Sequence, residues 1–213
     1  MALLGGFLLY RQIRQERDFE HQRLERRYRA ARAVTPLALN AVIDWAETMI
    51  HQWVLAGRRV DQSMFDEIFP VAPGGPTAPT VFDIVFPRLD RSVVRDLQGM
   101  IEATFADKDA SPFVALLQRI QIMESRSQGF HAKLNSPRTV EVLVGPYCFG
   151  QAAECAEVHA RAKTLFRFAR NDEATKSSEV TLTEIQESLY LAKAYEGSNP
   201  EVFEAAERAF GPG

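Results

Sequence analysis

The sequence lacks the short motifs that mark many catalytic and nucleotide-binding sites. No Gly-x-Gly-x-x-Gly, Walker, Gly-x-Ser-x-Gly or His-Glu-x-x-His pattern occurs among the 213 residues. Only two cysteines are present, which excludes a scaffold held together by disulfides. No run of 18 apolar residues occurs, so the chain as given contains no complete membrane-spanning helix. Any active site would therefore be assembled from residues that are far apart in sequence.

The composition is that of one globular domain, with 46% apolar and 25% charged residues. A net charge of −3 argues against a general nucleic-acid-binding protein. The charge is unevenly distributed along the chain. Residues 11–32 contain eight arginines and four acidic residues, whereas residues 172–208 contain nine acidic and three basic residues. One end of the chain is therefore basic and the other acidic.

An apolar, uncharged segment, Ala2 to Tyr10, leads directly into arginines. It spans about half of a bilayer core as a helix, and it lacks the basic start and cleavage site of a signal peptide. The segment resembles the last turns of a membrane anchor, with Tyr10 at the interface and Arg11, Arg14 and Arg17 contacting lipid headgroups on the cytoplasmic side. The same arrangement is widespread among bacterial membrane-tethered proteins. A frayed N-terminus and a short apolar segment buried in the domain are the alternatives.

Residues 11–34 are predicted to form a basic stalk helix, because no glycine or proline interrupts them and their apolar residues are too sparse for a buried stripe. Its surface suits either a solvated stalk or contact with lipid headgroups. Nucleic acid is disfavoured as a partner because the domain that follows is acidic. Three parts are thus expected: an apolar stub at 1–10, the stalk at 11–34, and a helical domain at 35–213 with a proline-rich loop at 70–80.

The helical domain is expected to contain about six helices, which makes the protein an all-α bundle. Thr35-Pro36 has the pattern of an N-cap and first helical residue, and Gly57 that of a helix end. Residues 61–69 allow a short helix, and residues 81–86 are predicted to be extended. Further helix starts are predicted after Pro87 and at Ser111-Pro112, Ser136-Pro137, Tyr147 and Asn199-Pro200.

The sharpest local signal is Thr181-Leu-Thr-Glu184, a capping box whose flanking Val180 and Ile185 form a hydrophobic staple. The helix that starts there is predicted to end at Gly197. Helical spacing also predicts the buried faces of several helices. The clearest is an aromatic stripe that we expect to be core rather than a cofactor site, formed by Val42, Trp45, Met49, Trp53 and Ala56.

Cys148, Cys155 and His159 are the best candidates for metal ligands. Seven residues on one helix separate the two cysteine Cα atoms by about 10.5 Å, which excludes a disulfide and hinders joint ligation of one metal. Cys155 and His159 could share a metal only with two further ligands from elsewhere. We therefore expect buried structural thiols, a satisfied helix histidine, and no metal or cofactor. Glu47 and His51, four residues apart, could form a pair.

The pattern as a whole favours a non-catalytic interaction or scaffold protein, tethered at the cytoplasmic face of a membrane and binding an unidentified protein partner. The alternative is a soluble helical enzyme or metal-binding protein with a site assembled from distant residues. The distribution of buried polar residues discriminates between the two, because converging histidine, carboxylate or cysteine side chains would indicate a site.

Overall fold

The computed structural model describes residues 2–68, 84–104, 110–134, 145–171 and 179–212, with side chains from residue 11 onward except at 60–68, 134 and 171. Six helices and no strand occur in these ranges, which confirms the all-α prediction. The helices are α1 (Ala2–Ile68), α2 (Arg91–Thr104), α3 (Ala110–Leu134), α4 (Gly145–Asn171), α5 (Leu182–Leu191) and α6 (Pro200–Phe210). The expected helix start at Ser136-Pro137 and the proline-rich loop lie outside the described residues.

Helix α1 is 67 residues long and joins the expected stalk to the first expected bundle helix. The prediction of a helix start at Thr35 is wrong. The Thr35 side chain is buried, and its hydroxyl donates to the carbonyl of Ala31, at 2.8 Å, instead of capping a new helix. Proline lacks the amide proton that would bond to Arg32 and normally destabilises a helix interior by about 3 kcal/mol. The helix continues through Pro36 because Ala31, before it, and Ala38, after it, both pack on the core.

Gly57 does not end α1, contrary to the prediction, because its role is close packing. A Cβ atom at this position would lie 2.6 Å from the ring of Phe149 in α4. The absent side chain therefore lets the two helices approach each other. Packing against α4 supplies a reason for glycine here that has nothing to do with helix termination.

The two central helices, α1 and α4, run antiparallel. Arg32 of α1 donates to the carbonyl of Phe168, at 2.8 Å, and Gly57 meets Phe149. Helix α2 packs on α1, α3 packs between α2 and α4, and α5 and α6 both pack on α4. Residues 84–90, which belong to no helix or strand, precede α2, so the described part of the segment predicted to be extended is not helical.

The predicted aromatic stripe of α1 is core, as expected, and all five of its residues are buried. Trp53 is completely buried and contacts three rings, with centroid distances of 4.5 Å to Phe86, 4.9 Å to Phe130 and 6.1 Å to Tyr147. Trp45 is also buried, and its indole N–H donates to the carbonyl of Pro87 at 3.0 Å. The two tryptophans thus join α1 to the segment before α2 and to α3 and α4.

The α5 capping box is confirmed. The Thr181 hydroxyl accepts from the amide of Glu184, and the Glu184 carboxylate accepts from the amide of Thr181 at 2.8 Å. Ile185 of the staple is buried, and Val180 is packed against the core. The start of α6 at Pro200 also agrees with the prediction, although the Asn199 side chain forms no capping hydrogen bond.

Helix α5 ends at Leu191, six residues before the predicted stop at Gly197. The amide of Ala194 donates to Leu189 at 2.9 Å, and the amide of Lys193 donates to Tyr190 at 3.0 Å. This pair of bonds is a Schellman motif, with Lys193 in the left-handed position at φ 59°. The prediction was wrong because lysine occupies a position where glycine is usual.

Replacing Trp53 by alanine should lower the free energy of unfolding by about 3–5 kcal/mol, because a completely buried indole leaves a cavity among three rings. Urea unfolding followed by circular dichroism measures this change. Leu37→Ala in the same helix is the control, since Leu37 is 75% exposed and its loss should change stability by less than about 0.5 kcal/mol. Equal effects of the two substitutions would contradict the assignment of the buried face.

Candidate functional site

The first part of α1 projects from the domain into solvent. Every side chain from Arg11 to Arg27 is exposed, and the first contact with the domain is made by the half-buried Tyr28. Residues 2–27 extend about 39 Å along the helix axis. The projecting segment is therefore a rigid arm, and the domain begins to cover α1 seven residues before the boundary predicted at residue 35.

The predicted headgroup contacts Arg11, Arg14 and Arg17 all lie on this arm and are all exposed. Spacing of three residues places them along one side of the helix over about 9 Å. Glu25 and Arg29, four residues apart on this helix, form an ion pair with 2.5 Å between carboxylate and guanidinium. Exposed pairs of this kind add little stability, so the arm keeps a surface that is charged, mixed in sign and accessible.

A cation–aromatic contact holds the base of the arm on the domain. The Arg32 guanidinium lies 5.0 Å from the ring centroid of Phe168 and 6.0 Å from that of Tyr28. Its hydrogen bond to the Phe168 carbonyl adds a directional link. The sequence prediction placed Arg32 in the stalk, whereas the structure makes it the residue that fixes the direction in which the arm leaves the domain.

The three metal-ligand candidates are all buried in α4. Cys148 and Cys155 form no disulfide and lie two turns apart on one unbroken helix, so the geometry that excludes a bond between them is confirmed. Burial raises the pKa of Cys155 well above its ordinary value, which keeps that side chain a neutral thiol. Within the described side chains, no group of three or more histidine, cysteine or carboxylate residues has metal-binding geometry.

His159 pairs with Glu47 across the α1–α4 contact, so the pairing predicted between Glu47 and His51 is wrong. The His159 Nε2 atom lies 3.4 Å from Glu47 Oε1, and His51 is exposed and forms no ion pair with Glu47. Burial lowers the pKa of His159, although the nearby Glu47 carboxylate acts in the opposite direction. The buried Nδ1 atom has no hydrogen-bond partner. Burying an unpaired acceptor nitrogen costs less free energy than burying an unpaired N–H group, so Nδ1 is assigned no proton. His159 is therefore neutral, with its proton assigned to Nε2.

A second buried ionisable residue, Glu157, faces α3 rather than α1. Its carboxylate lies 2.6 Å from Arg161 in the same helix and 3.3 Å from Arg119 in α3. Arg126 continues this row, at 2.5 Å from Glu154. Glu157 and His159 are two residues apart on one helix, so their side chains point to different sides. Each has its own partner, and the two do not converge on one site.

A cleft of about 280 Å³ lies between the segment before α2 and helix α3. The Glu124 carboxylate at its edge accepts from the amide of Leu89 at 2.8 Å, and Arg88 and His131 contribute polar groups on its rim. The buried Ser127 hydroxyl donates to the Glu124 carbonyl. The Glu124 carboxylate thus joins the segment before α2 to α3, whereas the Ser127 hydrogen bond lies within α3.

No helix among the described residues carries an apolar stretch long enough to cross a bilayer. No protein-family model, no curated protein and no solved structure matches this chain. The site therefore has to be judged from its own geometry, and the most distinctive surface of the described chain is the exposed arm.

Substituting His159 by glutamine should flatten the pH dependence of stability between about pH 5 and 7. A lowered pKa in the folded state means that the unfolded chain binds the proton more readily. The contribution of neutral His159 to the free energy of unfolding is fully present when the pH is above 6.5, the ordinary pKa of histidine. It decreases as the pH falls below that value, by at most about 1.4 kcal/mol per pH unit. Urea unfolding at several pH values measures the slope. His51→Gln, at an exposed position, is the control, and an unchanged slope in His159→Gln would refute the assignment.

Both thiols should resist a polar thiol reagent in the folded protein and react at once in urea, because Cys148 and Cys155 are completely buried. A colourimetric thiol assay with and without denaturant counts the reactive groups. The double Cys→Ser variant should fold and have the same metal content as the wild type. Stoichiometric zinc or iron that is lost in this variant would contradict a structural role.

Proposed function

We propose that this protein is a non-catalytic interaction or scaffold protein, held at the cytoplasmic face of a membrane by the N-terminal part of α1. The observation that carries the proposal is the arm, on which residues 11–27 are all exposed. Residues 11–32 carry eight arginines and four acidic residues. Arginine binds phosphate groups through several donors at once, which suits it to lipid headgroups.

The apolar segment and the arginines belong to one continuous helix, which supports contact with a membrane surface. Helix α1 includes Ala2–Tyr10 as well as Arg11, Arg14 and Arg17. An apolar end followed by cationic side chains binds an anionic bilayer reversibly, and each arginine near the surface contributes about 1 kcal/mol. The rigid arm would then hold the domain at a distance from the membrane, where it is accessible to partners.

The interior of the domain favours a scaffold over an enzyme. Buried Glu157 and His159 of α4 each face a separate partner, Arg161 with Arg119 for Glu157 and Glu47 for His159. A catalytic site needs such groups to converge on a space that a substrate can enter. The alternative, a helical enzyme or metal-binding protein, has no comparable observation among the described residues in its favour.

The full chain should sediment with vesicles that contain phosphatidylserine at low salt and less so at high salt, since salt screens the attraction. The triple substitution Arg11→Glu, Arg14→Glu and Arg17→Glu should abolish sedimentation at both salt concentrations, because it reverses the charge of the contact. Deleting residues 2–27 should have the same effect and leave the domain folded by circular dichroism, because the domain covers α1 only from Tyr28 onward.

The matched control reverses three exposed arginines elsewhere, with Arg88→Glu, Arg91→Glu and Arg95→Glu. This variant has the same net charge as the arm variant and should still bind vesicles. Sedimentation of each variant is also measured without vesicles and with neutral vesicles, so that protein that sediments by self-association is subtracted. Absence of vesicle binding at every salt concentration, or equal loss in the arm variant and the control, would refute the membrane contact.

A further inference from the structure

The turn between α5 and α6 presents an apolar aromatic surface to solvent. Tyr190, Leu191 and Tyr195 are 46%, 51% and 50% exposed. The ring centroids of Tyr190 and Tyr195 are 6.3 Å apart, and Tyr190 also packs on the buried Phe203 of α6 at 5.3 Å. The Schellman motif at Lys193 turns the chain between Tyr190 and Tyr195, whose rings lie close together. Exposed tyrosine and leucine in a cluster are typical of protein-binding surfaces.

Acidic residues surround this cluster. The Tyr190 hydroxyl donates to the Glu196 carboxylate at 3.3 Å, and Glu187, one helical turn before Leu191, pairs with Lys163 of α4 at 3.4 Å. One cation, the exposed Lys193, lies in the turn between them. Residues 179–212 as a whole carry seven glutamates and only two basic residues. We define the elbow surface as the three exposed apolar residues with these two glutamates. Its chemistry suits a cationic helix that also carries apolar side chains.

Helix α1 contains a surface with the opposite chemistry. Phe19 and Leu37 are 71% and 75% exposed, the largest values among the exposed large apolar residues described. Positions taken at alternating spacings of four and three residues between them follow one face of the helix, and each of these positions is exposed. Two arginines and no acidic residue lie on this face. We define it as the basic stripe, formed by Phe19, Arg23, Arg26, Ala30, Ala33 and Leu37.

The two surfaces cannot meet within one molecule. The Arg58 guanidinium, on α1, donates to the Asn199 side chain at 2.8 Å and also to the Ser198 carbonyl, which fixes the chain just after the elbow beside Arg58. Arg23 lies 35 residues earlier in the same helix, about 52 Å along its axis. That separation is far greater than the length of any side chain. A rigid helix thus keeps the basic stripe and the elbow surface at different levels of the molecule.

We propose that the elbow surface of one molecule binds the basic stripe of a second copy of this chain, in a head-to-tail arrangement. The partner is a second copy because this chain itself carries the surface of complementary charge and apolar content. A head-to-tail contact leaves one free patch at each end of a pair, so its repetition forms rings or open filaments. The inference names the partner of the scaffold in the proposed function and does not require the membrane contact.

The expected contact combines aromatic burial with charge attraction. Phe19 would pack against Tyr190 and Tyr195, and Arg23 and Arg26 would face the Glu187 and Glu196 carboxylates. The small side chains of the stripe, Ala30 and Ala33, would let the elbow approach the helix backbone closely. Aromatic and arginine side chains supply most of the binding energy in protein interfaces, whereas complementary charge sets orientation and association rate. Association should therefore weaken as the salt concentration rises.

The test measures the weight-average mass by analytical ultracentrifugation without lipid, as a function of protein and salt concentration. The wild-type chain should associate progressively at low salt and approach the monomer mass at high salt. A stripe variant (Arg23→Glu, Arg26→Glu) and an elbow variant (Glu187→Arg, Glu196→Arg) should each raise the concentration for half-association by about tenfold or more, because attraction becomes repulsion. All four positions are exposed, so both variants should fold as judged by circular dichroism.

Mixing the two variants provides the decisive measurement. In each variant alone, the stripe and the elbow surface carry charges of the same sign. In the mixture, the stripe that has become acidic in one variant can bind the elbow surface that has become basic in the other. The equimolar mixture should recover association, and so should a single chain that carries all four substitutions. The control Arg91→Glu with Arg95→Glu, on the exposed side of α2, should associate like the wild type.

Any of three results would overturn the inference. The first is that the wild type stays monomeric at all concentrations in low salt. The second is that the elbow variant associates like the wild type, and the third is that the mixture does not recover association. The second result would indicate pairing between two copies of α1 instead. The elbow variant should still bind vesicles, because its arm is unchanged. Failure of the self-association proposal can therefore be distinguished from failure of the membrane proposal.

Discussion

The packing of α1 against α4 positions every other helix of the domain. Arg32 on Phe168 and Gly57 against the Phe149 ring hold the two helices antiparallel over the part of α1 that follows Tyr28. Helix α2 rests on α1, α5 and α6 rest on α4, and α3 packs between α2 and α4. Because α1 extends beyond this contact, the same packing that forms the core also directs the arm into solvent.

A long helix with a domain at one end separates two surfaces by a fixed distance. The arm is exposed and rich in arginine, while the α5–α6 turn is acidic and carries exposed aromatic side chains. A flexible linker would let such surfaces neutralise each other within one molecule. The continuous helix prevents this, so both surfaces remain accessible to other molecules. Membrane attachment through the arm and head-to-tail contact through the elbow use different residues, and the two are compatible.

Buried polar groups in the domain serve packing between helices. His159 faces Glu47 on α1, and Glu157 faces Arg119 on α3, so one helix uses two different sides to orient two neighbours. Such contacts add little net stability but disfavour shifted helix registers, because a shift would leave the Glu157 charge and the polar His159 ring buried without their partners. The α4 helix therefore acts as the element to which the other helices are aligned.

The sequence alone determined the helical class, the buried face of α1 and the capping box of α5. The aromatic stripe ending at Ala56 and the Thr181–Glu184 capping box depend on residues within a few turns of each other, so their patterns predicted the structure correctly. Only tertiary structure decided the continuity of α1 through Pro36 and the role of Gly57. At Gly57 a contact with the distant residue Phe149 outweighs the local preference for a helix end. The partner of His159 was unpredictable for the same reason, since α4 brings it to Glu47 from a remote part of the chain.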